Sequence, residues 1–251
     1  MENNTHSYVH DERNINIKIY INGKIYDRSN AKISVFDSGF LLGDGVWEGI
    51  RLYNGKLCFL NEHLLRLYEG ARQISIDIPY TKEELTNIID DVIEKNNMYS
   101  GVHIRIIISR GEKITPYQHP SANVGPISLV IIPEYKIANE KVNTIGIKLA
   151  SVKIIRGTDF NQDPKINSLS KFNCIAACLE AIDKNVDEGL MLDIDGYVST
   201  CNSTNFFIIN NNQVITSKGN YCLNGVTRMK IIEICKEENI DVIEKNFKLN
   251  N

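Results

Sequence analysis

Apolar residues recur along this chain with two periods. Ile17 to Ile21 and Lys24 to Tyr26 flank Asn22-Gly23, the dipeptide that suits the corner of a two-residue hairpin. Leu64, Leu67, Tyr68 and Ala71 return at three- and four-residue spacing, which predicts an amphipathic helix over 61–73. Thr81 and Glu84 form a capping box ahead of Leu85, Ile88, Ile89, Val92 and Ile93, marking a second helix. Val102–Ser109 and Ile127–Ile132 are dense in β-branched residues and predict buried strands. Residues 134–143 are charged and polar without apolar period, as a linker would be.

The mixture repeats beyond that linker. Ile147–Ile154 predicts a strand, and Phe172, Ile175, Ala176 and Leu179 mark a helix. Leu190–Asp193, Asn205–Ile209 and Val214–Thr216 predict short strands, and another helix begins near Thr227. No internal repeat or low-complexity segment interrupts the pattern. The expected organisation is two domains of mixed α and β structure, 1–133 and 144–251, with a ligand held between them.

Composition narrows the function classes. The chain of 251 residues is 43% hydrophobic and 24% charged, with a formal net charge of -3. So mild an acidity gives no electrostatic reason for nucleic acid or an anionic membrane as partner. No apolar run approaches the ~20 residues of a membrane span. Met1 to Arg13 is polar, without the apolar segment of a secretory signal, and the six cysteines are scattered without a CxxC pair, as expected of reduced cytoplasmic thiols. Cys174 and Cys178 lie one helical turn apart, but no histidine is close in sequence. They read as packing residues, and no metal is expected.

Two places could hold an anion. Gly225-Val226-Thr227 precedes a helix at Arg228, so backbone N–H groups and the Thr227 hydroxyl could face a phosphate; the same residues also make an ordinary turn and cap. Arg51 follows the glycines at 43 and 45 on a strand and offers a bidentate clamp. Arg105 shares a strand face with His103 and Ile107 and could face a ligand or only solvent.

Longer strings carry a resemblance. Val35-Phe36-Asp37-Ser38-Gly39-Phe40-Leu41-Leu42-Gly43-Asp44-Gly45-Val46-Trp47-Glu48-Gly49-Ile50-Arg51 is one. Asp163-Pro164-Lys165-Ile166-Asn167-Ser168-Leu169-Ser170-Lys171-Phe172-Asn173 is another. Asp187 to Thr200, Asn202-Ser203-Thr204-Asn205-Phe206-Phe207 and Leu223 to Arg228 follow in order. Together they resemble the class IV, fold-type-IV pyridoxal-phosphate aminotransferases, closest to the branched-chain group. The resemblance implies a two-domain fold like that of D-amino-acid aminotransferase and pyridoxal 5'-phosphate as cofactor. Its phosphate would be held by Arg51, Gly225, Val226 and Thr227, and Arg105 is a candidate for the substrate. Amino-acid and 2-oxo-acid substrates and a homodimer are implied as well.

Three departures stand out against that family. Asn167 occupies the Schiff-base lysine's position. Thr200 occupies that of a glutamate which pairs with the pyridine nitrogen, so a hydroxyl would face the nitrogen and weaken the ring as an electron sink. Finally, the chain stops at Leu249-Asn250-Asn251, before the family's last strands, which would leave a sheet edge unpaired. Lys171 stands where branched-chain enzymes have a tyrosine touching the cofactor's phenolic oxygen. It is the first candidate for the imine, and Lys165 is the second, on the face of Asn167 if that segment is a strand. The resemblance implies transfer from a branched-chain L-amino acid to a 2-oxo acid such as 2-oxoglutarate. The alternatives are a lyase or racemase of the same fold, or a non-catalytic binder of pyridoxal phosphate or another phosphate ligand.

Overall fold

The computed structural model describes residues 10–137 and 140–250; positions 1–9, two positions of the expected linker (138 and 139) and Asn251 lie outside the described residues. The chain divides into two compact units. One runs to Ile137 and takes back Asn167–Ser170 from later in the chain. The other holds the remainder up to Ile166 and from Lys171 onward.

The first unit contains β1 (Lys18–Ile21), β2 (Lys24–Asp27), α1 (Ser38–Leu42), β3 (Gly45–Tyr53) and β4 (Lys56–Leu57). After them come α2 (Leu60–Gln73), α3 (Lys82–Lys95), β5 (Val102–Ser109) and β6 (Ser128–Tyr135). The strands form one sheet in the order β2-β1-β6-β5-β3-β4, antiparallel throughout. Asn22 and Gly23 both take positive φ at the β1–β2 turn, as the dipeptide predicts. The capping box is formed: Glu84 N–H donates to Thr81 Oγ1 at 3.1 Å, and Thr81 N–H donates to Glu84 Oε2 at 2.7 Å.

Strand alternation sorts the sheet's two faces. Val46, Ile50, Leu52, Ile104, Ile106 and Ile108 are buried, as are Leu64, Leu67 and Ala71 of α2, which packs on β3. Each of the valine, leucine and isoleucine side chains contributes about 1.5–3 kcal/mol by burial. The residues between them, Trp47, Gly49, Arg51, His103 and Arg105, therefore share the opposite face. The expected boundary at 133 falls inside a strand. Glu134 and Tyr135 belong to β6, because they pair with His103 and Val102.

The second unit contains α4 (Glu140–Ile145), β7 (Leu149–Ser151), α5 (Phe172–Asp183), β8 (Glu188–Leu192) and β9 (Val198–Cys201). It continues with β10 (Phe207–Asn210), β11 (Gln213–Thr216), α6 (Val226–Glu237) and β12 (Val242–Glu244). β8 lies between parallel β7 and antiparallel β9, while β11 lies between antiparallel β10 and parallel β12. α6 is the crossover that a parallel β11–β12 pair requires. The strand expected over 147–154 shortens to β7.

The α5 helix forms where its apolar period predicts but buries a different face. Phe172, Ile175 and Leu179 are exposed, whereas Ala177 and Ala181 are buried. The reason is close approach to β8. A Cβ at Gly189 would stand 3.0 Å from the Ala177 carbonyl and 3.5 Å from the Ala181 Cβ. Only the alanine side of α5 is small enough to lie there.

Candidate active site

In the first unit, Asp37 organises the approach to Arg51. It caps α1 by accepting from Gly39 N–H at 2.8 Å, and it accepts from the hydroxyls of Ser109 at 2.8 Å and Ser128 at 2.6 Å. A carboxylate with three donors is well satisfied although buried. Gly43 then takes φ 68, where a side chain would be strained. Gly45 serves a different purpose from the turn at Gly43. A Cβ there would lie 2.3 Å from the Ile108 carbonyl, so glycine lets β3 close onto β5.

Asn167 is built into this unit. Trp47 N–H donates to its carbonyl at 3.0 Å, and Leu169 N–H donates to the Gly45 carbonyl at 2.8 Å. The Asn167 side chain donates from Nδ2 to the Trp47 carbonyl at 2.7 Å. Asn167 is 6% exposed. Residues 167–169 thus cover the leading edge of β3, and the amide helps to hold them there.

Arg51 is half-buried and donates from Nη1 to the Lys136 carbonyl. Its cross-strand partner is His103, and Gly49 pairs with Arg105. The Arg105 guanidinium lies over the Trp47 ring at 4.1 Å, a contact that orients the charge without neutralising it. Burial pushes the pKa values of Arg51, Arg105 and Lys136 down, and burial together with the charges of Arg105, Arg51, Lys136 and His63 holds His103 at about 4. On the packed face, Glu48 accepts from His63 at 2.7 Å and from Arg66 at 2.6 and 2.8 Å. His63 is therefore a structural residue. His103, which no motif singles out, is visible in the sequence only through its alternation with Arg105.

In the second unit, α6 starts at Gly225 without a side-chain cap, leaving its first N–H groups available to an anion. A Cβ at Gly225 would lie 2.2 Å from Asn205 Oδ1, so glycine is required. Val226 is buried and Thr227 is exposed at the helix start. Arg228 points inward and is tied to Glu244 at 2.6 Å and to the Ser217 carbonyl at 2.8 Å. Thr200 is buried on β9 and donates from Oγ1 to the Thr204 carbonyl at 2.8 Å. The hydroxyl thus bonds the protein's own backbone, where the resemblance implies one that faces the ring nitrogen.

The two lysine candidates differ. Lys165 sits exposed in a turn closed by Ile166 N–H to the Asp163 carbonyl at 3.2 Å, so the strand premise for its candidacy does not hold. Lys171 is half-buried at the N-cap of α5.

Arg51 on β3 of the first unit and the glycine-led start of α6 in the second are each, taken alone, chemically suited to a phosphate. Residue 167 does not fit an imine, because its nitrogen is an amide already bonded to Trp47.

A model of the family described as amino-transferase class IV matches residues 45–251. Branched-chain-amino-acid aminotransferase-like protein 2 of Arabidopsis thaliana is 36% identical over 94% of this chain, which spans 42% of that protein. A putative branched-chain-amino-acid aminotransferase of Methanocaldococcus jannaschii is also 36% identical, over 93% of this chain and 80% of its own length. D-alanine aminotransferase of Staphylococcus haemolyticus is 32% identical over 92% of this chain and 79% of its own. Among solved structures, the branched-chain aminotransferase of Thermoproteus uzoniensis with norvaline superposes with a TM-score of 0.84 at 26% identity. The match covers 94% of this chain and 80% of that one. The chain belongs to the class IV aminotransferases, the pyridoxal-phosphate enzymes of fold type IV.

Proposed function

We propose that this chain transfers the amino group of a branched-chain L-amino acid to a 2-oxo acid such as 2-oxoglutarate, with Lys171 supplying the amine that residue 167 lacks. The observation that carries this reading is the 36% identity to the Methanocaldococcus protein over 93% of the chain. Pyridoxal phosphate, when bound, supplies an aldehyde for the amino group and a ring that draws electrons from the substrate carbon. In this reading Arg51 offers a phosphate charge-assisted hydrogen bonds, and the α6 start offers backbone N–H groups. Arg105, steadied by Trp47, meets the substrate carboxylate. Lys171 carries the proton at the substrate Cα. Thr200, bonded to Thr204, leaves the ring without a counter-charge, so turnover is slow. A homodimer in the cytoplasm belongs to the same reading.

A second reading, non-covalent retention of pyridoxal phosphate, is favoured by the bonding of Asn167 to Trp47 and of Thr200 to Thr204. One experiment separates the two. The purified chain is loaded with pyridoxal phosphate, reduced with borohydride and mapped by peptide mass. Label on Lys171, with amino transfer from leucine, isoleucine or valine, supports the first reading. Retained but unlabelled cofactor supports the second, and label on Lys165 moves the role there.

A further inference from the structure

We propose that His103 is a proton-linked arm of the anion site on the open face of the β3–β5–β6 sheet, taking up a proton when an anion binds between Arg51 and Arg105 and donating a hydrogen bond to it. The proposal rests on the proposed reading of Arg51 and Arg105 as anion-binding residues and adds a residue whose charge follows occupancy.

The geometry starts at Gly49. A Cβ there would lie 2.5 Å from His103 Nε2 and 3.1 Å from its Cε1. The imidazole therefore lies across β3 over Gly49, which has no side chain to exclude it. His103 pairs in register with Arg51, and Gly49 pairs with Arg105. The ring thus leans from the Arg51 row toward the Arg105 row, with Nε2 leading.

The surrounding charges explain what the ring does when the site is empty. From β3 comes Arg51, from its own strand Arg105, and from the residue after β6 Lys136. From β6 comes Glu134, the register partner of His103, whose field acts on Arg105 and Lys136. His63 of α2 adds a weaker contribution. Burial and these cations keep the imidazole neutral, with its pKa at about 4. An anion on the two arginines reverses the sign of the local field. It offsets the repulsion and gives a protonated Nε2 an acceptor. Bound opposite charge at close range raises a histidine's pKa by about one to three units. Each unit is a factor of about ten in the affinity of the protonated form. Binding should therefore tighten as pH falls toward the free value, roughly tenfold between pH 7 and pH 5 for a two-unit rise.

Sulfate is the probe, because it keeps its charge across that range and needs neither lysine nor substrate. The His103 ring-proton resonance is followed by NMR against pH in the full chain, with and without saturating sulfate, and sulfate affinity is measured by calorimetry at pH 5 and pH 7. The expected result is a midpoint raised by at least one unit and tighter binding at pH 5. In His103→Gln the proton uptake disappears while sulfate still binds, which separates His103 from protonation of Glu134. A midpoint unmoved by saturating sulfate overturns the proposal, as does absence of sulfate binding or proton uptake that persists in the variant. The wild-type resonance needs no substitution, so a poorly folded variant leaves the decision intact. Failure of amino transfer or of lysine labelling would leave the His103 midpoint unaffected, so the two readings fail separately.

Discussion

Replacing Asn167 with lysine tests whether this position is where an amine belongs. The side chain is 6% exposed and donates to the Trp47 carbonyl at 2.7 Å. Losing that donor breaks a part-buried hydrogen bond to the backbone, at a cost of about 1–3 kcal/mol. The introduced ammonium must also leave water, which lowers its pKa. A fall of one to two units costs about 1–3 kcal/mol more at neutral pH. The total, about 2–6 kcal/mol, is large against the roughly 5–15 kcal/mol by which domains are stable, so the urea midpoint should fall clearly without ligand. Pyridoxal phosphate should restore part of it, since a ligand that binds only the folded chain stabilises by mass action. Borohydride reduction and peptide mapping should then place the label on the introduced lysine. A variant as stable as wild type would refute the hydrogen-bond account. A stable, cofactor-loaded variant labelled only at Lys171 would show that residue 167 does not meet the cofactor.

Arg51→Ala should weaken pyridoxal phosphate retention by about ten- to a hundredfold, the worth of a charge-assisted contact, and unchanged affinity would remove Arg51 from the site. Thr200→Glu should shift the absorption of bound cofactor by supplying a carboxylate; retained binding with no shift would place Thr200 away from the ring. Burial pushes the Glu48 pKa up, but the bonds from His63 and Arg66 outweigh it and hold the carboxyl below its ordinary 4.5. Stability from that group is present above 4.5 and is lost as pH falls through the lower folded value, so Glu48→Gln should flatten the acid limb of the urea-midpoint profile. His103 works in a different window. Its pKa falls from 6.5 to about 4, so the unfolded chain takes up the proton first. Stability should drop by up to about 1.4 kcal/mol per pH unit between 6.5 and 4, and a profile identical in His103→Gln would contradict its burial as a neutral ring.

How much of this was legible in the sequence depends on whether the cause was local. Asn22-Gly23 and the Thr81–Glu84 box are set by residues in contact along the chain, and both appear as read. The long strings that carry the family resemblance held for the same reason at larger scale: they preserve whole turns, such as the one Asp37 ties to Ser109 and Ser128. What escaped was decided across the chain. The apolar period of α5 is real, but the face it buries was chosen by Gly189 on another element. Residues 167–169 have no period that announces an edge pairing with β3, and Lys165 lost its strand premise to a turn begun by Asp163.

The same division runs through the candidate site. That Arg51 and Arg105 share a strand face with alternating neighbours was readable, because the alternation is local. The chemistry of His103 was not, since it depends on the absence of a side chain at Gly49 and on cations from other strands. Thr200 shows the limit from the other side. Its position was readable from the aligned string, yet the direction of its proton is set by the Thr204 carbonyl, a backbone atom that every residue type would supply. A substitution against the family pattern therefore has two consequences, the group removed and the hydrogen bond the replacement makes. In Asn167 and Thr200 both point the same way: each polar side chain is turned toward the protein's own backbone.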